Sequence, residues 1–274
     1  MDLSTNYLGF NLPNPFIAGA GPLVDDMEMV KRLADAGAAA IVMHSIFEEQ
    51  IERSNARTLN KMAGRAECSE EVEKTFPEGY EFPLSPDEYL EQVRRIKKAV
   101  GVPVIASLNG TCPSDWLRFA SSIQEAGADA VELNLYYVAS DPEESGAQVE
   151  RRLIESVKLL REAVSIPIAV KLSPFYSSLV NVCLQMEKIG VNGVVLFNRV
   201  YLPETDAELL NDVAPMELSS PAELPLRLRW AGILYGRTNM SMAVSGGVHG
   251  PVDAVKSIMA GADAVQMLSA LLTR

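Results

Sequence analysis

The chain has 274 residues, of which 48% are hydrophobic, and it carries a formal net charge of −12. This length suits one large α/β domain, and the negative charge argues against nucleic acid or an anionic membrane as a partner. No stretch approaches the roughly 20 consecutive apolar residues of a membrane helix, and the first residues lack the pattern of a signal peptide, so we expect a cytoplasmic protein. The three cysteines have neither disulfide nor metal-ligand spacing, so we predict no metal site.

Eight short apolar runs predict β-strands. Two kinds of sequence precede these runs, and they alternate along the chain. One is the pentapeptide Gly-Ala-Asp-Ala-Val, which occurs unchanged at 127–131 and 261–265, with looser copies at 37–41 and 190–194. Each copy follows a helical stretch and opens an apolar run, which is typical of a helix end that leads into a strand. The other is a proline in three of four cases. The predicted strands cover 16–19, 39–44, 103–108, 130–135, 168–172, 193–198, 242–245 and 264–268.

Helical segments separate the predicted strands. The clearest one begins at Ser85, where a proline follows the capping serine and Glu88 closes a capping box. The predicted helices cover 26–36, 85–99, 114–126, 146–164, 178–189, 221–235 and 251–260. Strands that alternate with helices at this spacing favour a parallel sheet, and eight of them favour closure into a (β/α)₈ TIM barrel, which takes about 250 residues.

Residues 1–274 are therefore predicted to form a single barrel domain with two long excursions, at about 45–84 and 199–220. The segment after the last predicted strand, 269–274, is too short for a closing helix. An uncovered pair of strands would leave apolar surface in water, so we expect the natural chain to continue beyond Arg274.

The predicted binding site lies at the carboxyl ends of the strands, because barrel enzymes of this type build their sites from the loops there. Ser245 ends the seventh strand and is followed by Gly246 and Gly247, whose backbone N–H groups can approach an anion closely. Ser269, after the eighth strand, offers a hydroxyl to the same group. A tight turn is the alternative, and the position at the strand end favours a phosphate site.

A lysine and three asparagines end other strands on the same rim. Lys171 ends an otherwise apolar strand, so its ammonium either reaches solvent or points into the barrel mouth. An amide side chain is both a donor and an acceptor, which suits the edge of a heterocycle. One such asparagine is usually a turn residue, whereas three beside a lysine indicate a ligand. They are Asn109, Asn134 and Asn198, and the turn of Gly19, Ala20 and Gly21 leaves room for a flat ring.

These motifs resemble the dihydroorotate dehydrogenase family, class 1, over essentially the whole chain. The resemblance rests on Asn-Pro-Phe at 14–16, Glu-Leu-Asn-Leu at 132–135, Val-Lys-Leu at 170–172, Asn198, and Ser-Gly-Gly at 245–247. It implies an FMN-binding barrel, usually cytoplasmic and a homodimer, that acts as an oxidoreductase on the CH–CH group of a small-molecule substrate. Genuine members of the family serve pyrimidine biosynthesis.

The resemblance also implies roles for individual residues. Lys171 would be a cation near the pyrimidine end of the flavin, where it stabilises the anionic reduced ring. Gly19, Ala20 and Gly21 would pack on the flavin, Ser45, Asn134, Lys171 and Asn198 would line it with Asn109 on the same rim, and Gly246, Gly247 and Ser269 would hold its phosphate.

The substrate side departs from the family pattern. Class 1 members carry a cysteine base in the loop after the fourth strand, where this chain has Tyr137, and Ala139 replaces a substrate-binding asparagine. His44 stands where a lysine is expected, and histidine is the side chain that changes charge near neutral pH. A tyrosine, with an ordinary pKa of about 10, is a poor base, so Tyr137 is a candidate acid or stacking wall. The catalytic candidates are therefore Lys171, Tyr137 and His44.

Three functional interpretations stay open from the sequence. The first is an FMN-dependent oxidoreductase of this family that acts on a dihydropyrimidine-like or other small cyclic substrate, or a genuine dihydroorotate dehydrogenase. A partner protein would then carry electrons onward, because no cysteine cluster indicates an iron–sulfur centre. The second is a lyase or aldolase that forms a Schiff base through Lys171 and holds a phosphorylated substrate at Gly246 and Gly247. The third is a non-catalytic flavin-binding partner subunit.

Overall fold

The structure, a computed structural model, describes residues 2–48, 50–51, 84–110, 116–135, 137–199, 204–206, 211–213 and 218–273. The strands are β1 (Thr5–Tyr7), β2 (Phe10–Leu12), β3 (Phe16–Ala18), β4 (Ala40–Phe47), β5 (Val104–Asn109), β6 (Ala130–Asn134), β7 (Ile168–Leu172), β8 (Gly193–Leu196), β9 (Glu204–Asp206), β10 (Asn211–Val213), β11 (Ser241–Ser245) and β12 (Ala264–Met267). The helices are α1 (Met27–Asp35), α2 (Pro86–Ala99), α3 (Trp116–Glu125), α4 (Gly146–Ala163), α5 (Leu179–Ile189), α6 (Leu224–Leu234), α7 (Pro251–Met259) and α8 (Ser269–Leu272), with 3₁₀ turns at Pro22–Val24 and Pro221–Glu223.

Eight parallel strands close into a barrel in the order β11-β12-β3-β4-β5-β6-β7-β8. Helices follow the strands along the chain, and a large apolar core fills the space between the helices and the outer face of the barrel. The predicted (β/α)₈ barrel is therefore confirmed. Because all eight strands run in the same direction, their carboxyl ends share one rim of the barrel.

The repeated pentapeptide works as a helix stop followed by a strand start. The first glycines of the four copies have φ values of 96° to 106°, which favour glycine. In the two unchanged copies the aspartate fixes the start of the neighbouring strand. Asp129 accepts the backbone N–H of Val104 at 2.7 Å, and Asp263 accepts that of Met242 at 2.8 Å.

An N-terminal hairpin, β1–β2, closes the amino-terminal end of the barrel, and the sequence prediction did not include it. Tyr7, Leu8 and Leu12 are buried in one cluster with residues of the barrel, more than half of which are alanines and the others valines and isoleucines. Small side chains inside that end of the barrel leave a gap that these three larger ones fill. The strands of the hairpin are three residues each, too short for a clear alternation in the sequence.

The second barrel strand differs from its prediction. We expected it to end at residue 44 and an excursion to begin at 45, whereas β4 continues to Phe47 after a register shift between Val42 and Ser45. The hydroxyl of Tyr89 fills the gap in the ladder, since it accepts the Ser107 N–H at 2.9 Å and donates to the Ser107 carbonyl at 3.1 Å.

Parts of both predicted excursions fall outside the described residues, namely 49, 52–83, 200–203, 207–210 and 214–217. The described part of the second excursion includes the antiparallel pair β9–β10. Within the described parts of the chain, no helix is long and apolar enough to cross a membrane. Among the same residues, no group of three or more histidine, cysteine, aspartate or glutamate side chains is arranged to hold a metal ion.

Candidate functional site

A cavity of about 150 Å³ lies at the carboxyl ends of the barrel strands. Its walls come from residues that end or follow β3, β7, β8, β11 and β12, which is where enzymes with this fold have their active sites. Six of the residues predicted to bind a flavin line it: Gly19, Ala20, Lys171, Asn198, Gly246 and Ser269.

Ser219 brings several hydrogen-bonding groups together at one end of this cavity. Its backbone N–H and its hydroxyl donate to Ser269 Oγ, at 3.0 and 2.9 Å. The Gly247 N–H donates to Ser219 Oγ at 3.3 Å, and His249 Nε2 lies 3.3 Å from the same oxygen. Hydroxyl and backbone N–H donors in one cluster suit a phosphate group.

The turn after β11 requires its two glycines. Gly246 and Gly247 have φ values of 84° and 79°. A Cβ on Gly247 would lie 2.6 Å from the Leu224 backbone nitrogen, and a Cβ on Gly246 would lie 3.1 Å from the Arg227 guanidinium. The buried Arg227 donates to the Ser245 carbonyl at 3.1 Å and to Glu223 at 2.8 Å. The Arg227 guanidinium is therefore held directly against this turn.

Lys171, at the end of β7, reaches the cavity from inside the barrel mouth and does not extend into solvent. The residue is 8% exposed, and its Nζ lies 3.2 Å from Glu132 Oε1. The other carboxylate oxygen of Glu132 accepts a hydrogen bond from the Gln266 amide nitrogen. Three neighbouring buried side chains thus place one ammonium group at the cavity.

The strands β4, β5 and β6 contribute a second group of polar side chains to the same end of the barrel. The Ser45 and Ser107 hydroxyls lie 2.7 Å apart, and Asn134 Nδ2 donates to them at 3.3 and 2.9 Å. Asn109 Oδ1 is buried and accepts no hydrogen bond within the described residues. Ser45, Asn109 and Asn134 do not belong to the described wall of the 150 Å³ cavity.

Tyr137 lies at a different place, in a largely apolar cavity of about 300 Å³ between the loops that follow β6 and β7. Its hydroxyl donates to Glu144 Oε2 at 2.5 Å, and the Arg152 guanidinium lies over its ring, 4.4 Å from the centroid. Burial, followed by the hydrogen bond to Glu144, raises the pKa of Tyr137. The hydroxyl therefore keeps its proton at neutral pH, which makes it a poor base.

Two further residues bear on the missing cysteine base. His44 Nδ1 lies 3.1 Å from Asp25 Oδ2, so a carboxylate orients the imidazole through one of its nitrogens. Cys183 is buried in α5, and burial raises the pKa of its thiol to about 12. A thiol of that kind is not a base for a reaction at the barrel mouth. Cys68 and Cys112 lie outside the described residues.

The remaining predicted residues also lie at the rim. A Cβ on Gly21 would lie 2.5 Å from the end of the Leu268 side chain, which would have to move to make room for it. Gly19 donates its N–H to the Met267 carbonyl at 2.8 Å, which ties the first turn to β12. Asn198 Oδ1 accepts the backbone N–H of Arg199 at 3.0 Å.

These groups fit FMN on structural grounds. The glycine turn and the serine hydroxyls form a cradle for a phosphate, and a lysine lies at the same cavity as a partner for a polar ring edge. The buried Asn109 Oδ1, without a donor among the described residues, is an acceptor for a ligand N–H on the same rim.

Several residues of the site were missed by sequence reasoning. Ser107 and Gln266 lie within strands that read as apolar runs, and Glu132 was noted as part of a motif without a role. His249 follows the glycine turn and gave no separate signal. Inward-facing polar residues in otherwise apolar barrel strands are the one signal that would have identified the first three.

Comparison with known proteins finds related sequences over nearly the whole chain. The family model described as dihydroorotate dehydrogenase matches residues 84–274. The catalytic subunit of dihydroorotate dehydrogenase B (NAD(+)) from Thermoplasma acidophilum is 31% identical, over 99% of this chain and 88% of its own length. The proteins of the same name from Methanocella arvoryzae and Methanosarcina acetivorans are 29% and 30% identical, over 99% and 98% of this chain and 87% and 85% of their own lengths.

Proposed function

Because the chain belongs to the dihydroorotate dehydrogenase family, whose members are FMN-dependent oxidoreductases acting on a CH–CH group, we propose that its substrate is a dihydropyrimidine-like ring. Dihydroorotate is the first substrate to test, since it appears in the names of the similar proteins. The observation that carries the proposal is the position of Lys171. Its ammonium lies at a cavity whose other end holds a glycine turn and two serine hydroxyls.

The oxidation of such a ring removes two hydrogens from neighbouring carbons. FMN, when bound, supplies the hydride chemistry. Lys171 favours negative charge at the ring edge that it faces, because it is a cation in a shielded site. The cluster of Ser219, Gly247 and Ser269 would hold the phosphate of FMN, and the turn of Gly19, Ala20 and Gly21 would leave room for its flat ring system.

The proton that leaves the substrate needs an acceptor other than cysteine. We assign this task to His44, because Asp25 orients its imidazole and leaves the second ring nitrogen for another partner. Tyr137 serves as a wall of the neighbouring apolar cavity, since its hydroxyl is already engaged with Glu144. This arrangement replaces a thiolate base by an imidazole that a carboxylate holds in place.

The similar proteins are named catalytic subunits, which supports a second subunit for this chain. We propose that an electron-transfer partner protein reoxidises the flavin. A homodimer and a cytoplasmic location stay as predictions from the sequence. The family assignment favours this oxidoreductase over the lyase that would use Lys171 as a Schiff base, and borohydride trapping of a substrate on Lys171 would reverse that preference.

The test is anaerobic mixing of the FMN-loaded protein with dihydroorotate, followed through the flavin absorbance. We expect bleaching in the wild type and a rate at least about 100-fold lower in Lys171→Gln, because one electrostatic contact to the developing charge is lost. The control is Lys158→Gln, which changes an exposed lysine on α4 and should react like the wild type. If the protein binds FMN but no dihydropyrimidine reduces the flavin, the proposed substrate class is wrong. If the protein does not bind FMN, the proposed site is wrong.

A further inference from the structure

Glu132 is a buried carboxylate in the barrel interior that the proposed reaction does not use. The residue is 0% exposed and lies on β6 between Lys171 of β7 and Gln266 of β12. One oxygen pairs with Lys171 Nζ at 3.2 Å, and the other accepts from the Gln266 amide. Both carboxylate oxygens are therefore engaged, one by a cation and one by a neutral donor.

The charge of Glu132 also acts on the opposite end of the barrel. Burial raises the pKa of Tyr7 well above its ordinary value, and the negative charge of Glu132 raises it further. Tyr7, in the β1–β2 hairpin, therefore stays neutral. Among the described residues, the ion pair that Glu132 makes is the one with Lys171.

The two charges depend on each other. A carboxylate taken out of water is strongly destabilising unless a cation and further hydrogen bonds compensate it. Lys171 is the compensating cation, and the carboxylate in turn holds its flexible side chain in one position. The pair forms a dipole with its positive end at the cavity and its negative end deeper in the barrel.

We propose that Glu132 is a positioning residue that holds the Lys171 ammonium at the barrel mouth, offsets part of its charge, and thereby lowers the reduction potential of the bound flavin. The inference rests on the placement of Lys171 beside the flavin in the proposed function. A cation next to the flavin favours its reduced, negatively charged form, and a carboxylate behind the cation weakens that effect because the two fields oppose each other.

The experiment is a spectroscopic redox titration of the FMN-loaded protein, with no substrate present. In Glu132→Gln the charge is lost and the shape is kept, and the Gln266 amide can rotate to present its oxygen to the new amide. We expect the potential to rise, so that the ratio of reduced to oxidised flavin at a fixed potential increases about tenfold, as for the loss of one nearby charge in a protein interior. Lys171→Met should lower the same ratio. Glu162→Gln, at an exposed glutamate of α4, is the matched control and should leave it unchanged.

The outcomes separate the inference from the proposed function. An unchanged or lower potential in Glu132→Gln, with a lowered one in Lys171→Met, overturns the role of Glu132 and keeps the lysine at the flavin. An unchanged potential in Lys171→Met overturns that placement itself and the inference with it. Should Glu132→Gln fail to fold, the Gln266→Met variant tests the same point, since it frees one carboxylate oxygen for Lys171 and should lower the potential; an unchanged or higher value overturns the inference. Failure of every dihydropyrimidine to react affects only the substrate class.

Discussion

The hydroxyl of Ser219 connects the groups at the end of the cavity where we propose that the phosphate binds. It donates to Ser269 Oγ and accepts the Gly247 N–H, and His249 Nε2 lies within hydrogen-bond distance. A bound phosphate would share these donors with it. The single hydroxyl therefore orders the cradle before the cofactor arrives, which reduces the entropy lost on binding.

At this scale we expect Ser219→Ala to weaken FMN binding more than riboflavin binding. Loss of one hydrogen bond to a charged group costs about 1.5–3 kcal/mol, or roughly 10- to 150-fold in affinity for FMN. The measurement is titration of apoprotein with each flavin, followed by flavin fluorescence. Ser220→Ala, at the exposed neighbouring serine, is the control. Equal weakening of both flavins would show that the hydroxyl does not act on the phosphate.

The repeated pentapeptide joins a helix to a strand, and its two unchanged copies have different electrostatic surroundings. Asp129 pairs with Lys97 Nζ at 2.7 Å in addition to its backbone contact. Among the described residues, the hydrogen bond that the Asp263 carboxylate makes is the one from the Met242 backbone N–H. Burial raises the pKa of Asp263, and this hydrogen bond opposes the shift. The same five residues therefore carry a stabilised carboxylate in one place and a desolvated one in the other.

This difference predicts opposite effects of the same substitution. Folding raises the pKa of Asp263 above its ordinary value of 3.8. The protonated carboxyl therefore contributes to the free energy of unfolding fully below pH 3.8, and this contribution is lost as the pH rises through the pKa of the folded state. Asp263→Asn keeps an oxygen that accepts the Met242 N–H. It should stabilise the protein slightly at neutral pH and make its free energy of unfolding depend less on pH in the acid range. Asp129→Asn should cost about 0.2–1 kcal/mol, because the pair with Lys97 is lost. Urea unfolding at several pH values measures both, and a destabilised Asp263→Asn variant at neutral pH would contradict the argument.

The two ends of the barrel are covered by different kinds of residue. The carboxyl end is lined by polar groups and glycine turns, whereas the amino end is closed by the β1–β2 hairpin with Tyr7, Leu8 and Leu12. A parallel barrel cannot fill its own end where its inward side chains are alanines. Its stability therefore depends on a segment at the start of the chain.

We expect Leu12→Ala to destabilise the whole barrel by about 2–5 kcal/mol, as for other leucines deleted from a packed core. Denaturant unfolding measures the change, with Leu3→Ala as the control because that leucine is about half exposed. Similar small losses in the two variants would show that the hairpin does not support the barrel.

The eight barrel strands, their closure into a barrel and the rim that carries the predicted ligand residues could be predicted from the sequence. The glycines that end helices and the apolar runs are local signals in the sequence. The carboxyl ends of eight parallel strands must all lie at the same end of the barrel. That Ser219 and His249 meet Gly247 and Ser269 could be seen only in the fold, because the three segments that carry these residues are far apart along the chain. The pairing of Glu132 with Lys171 and of Tyr137 with Glu144 was likewise visible only in the folded chain, because contacts between strands and loops depend on register and burial, which a linear pattern does not contain.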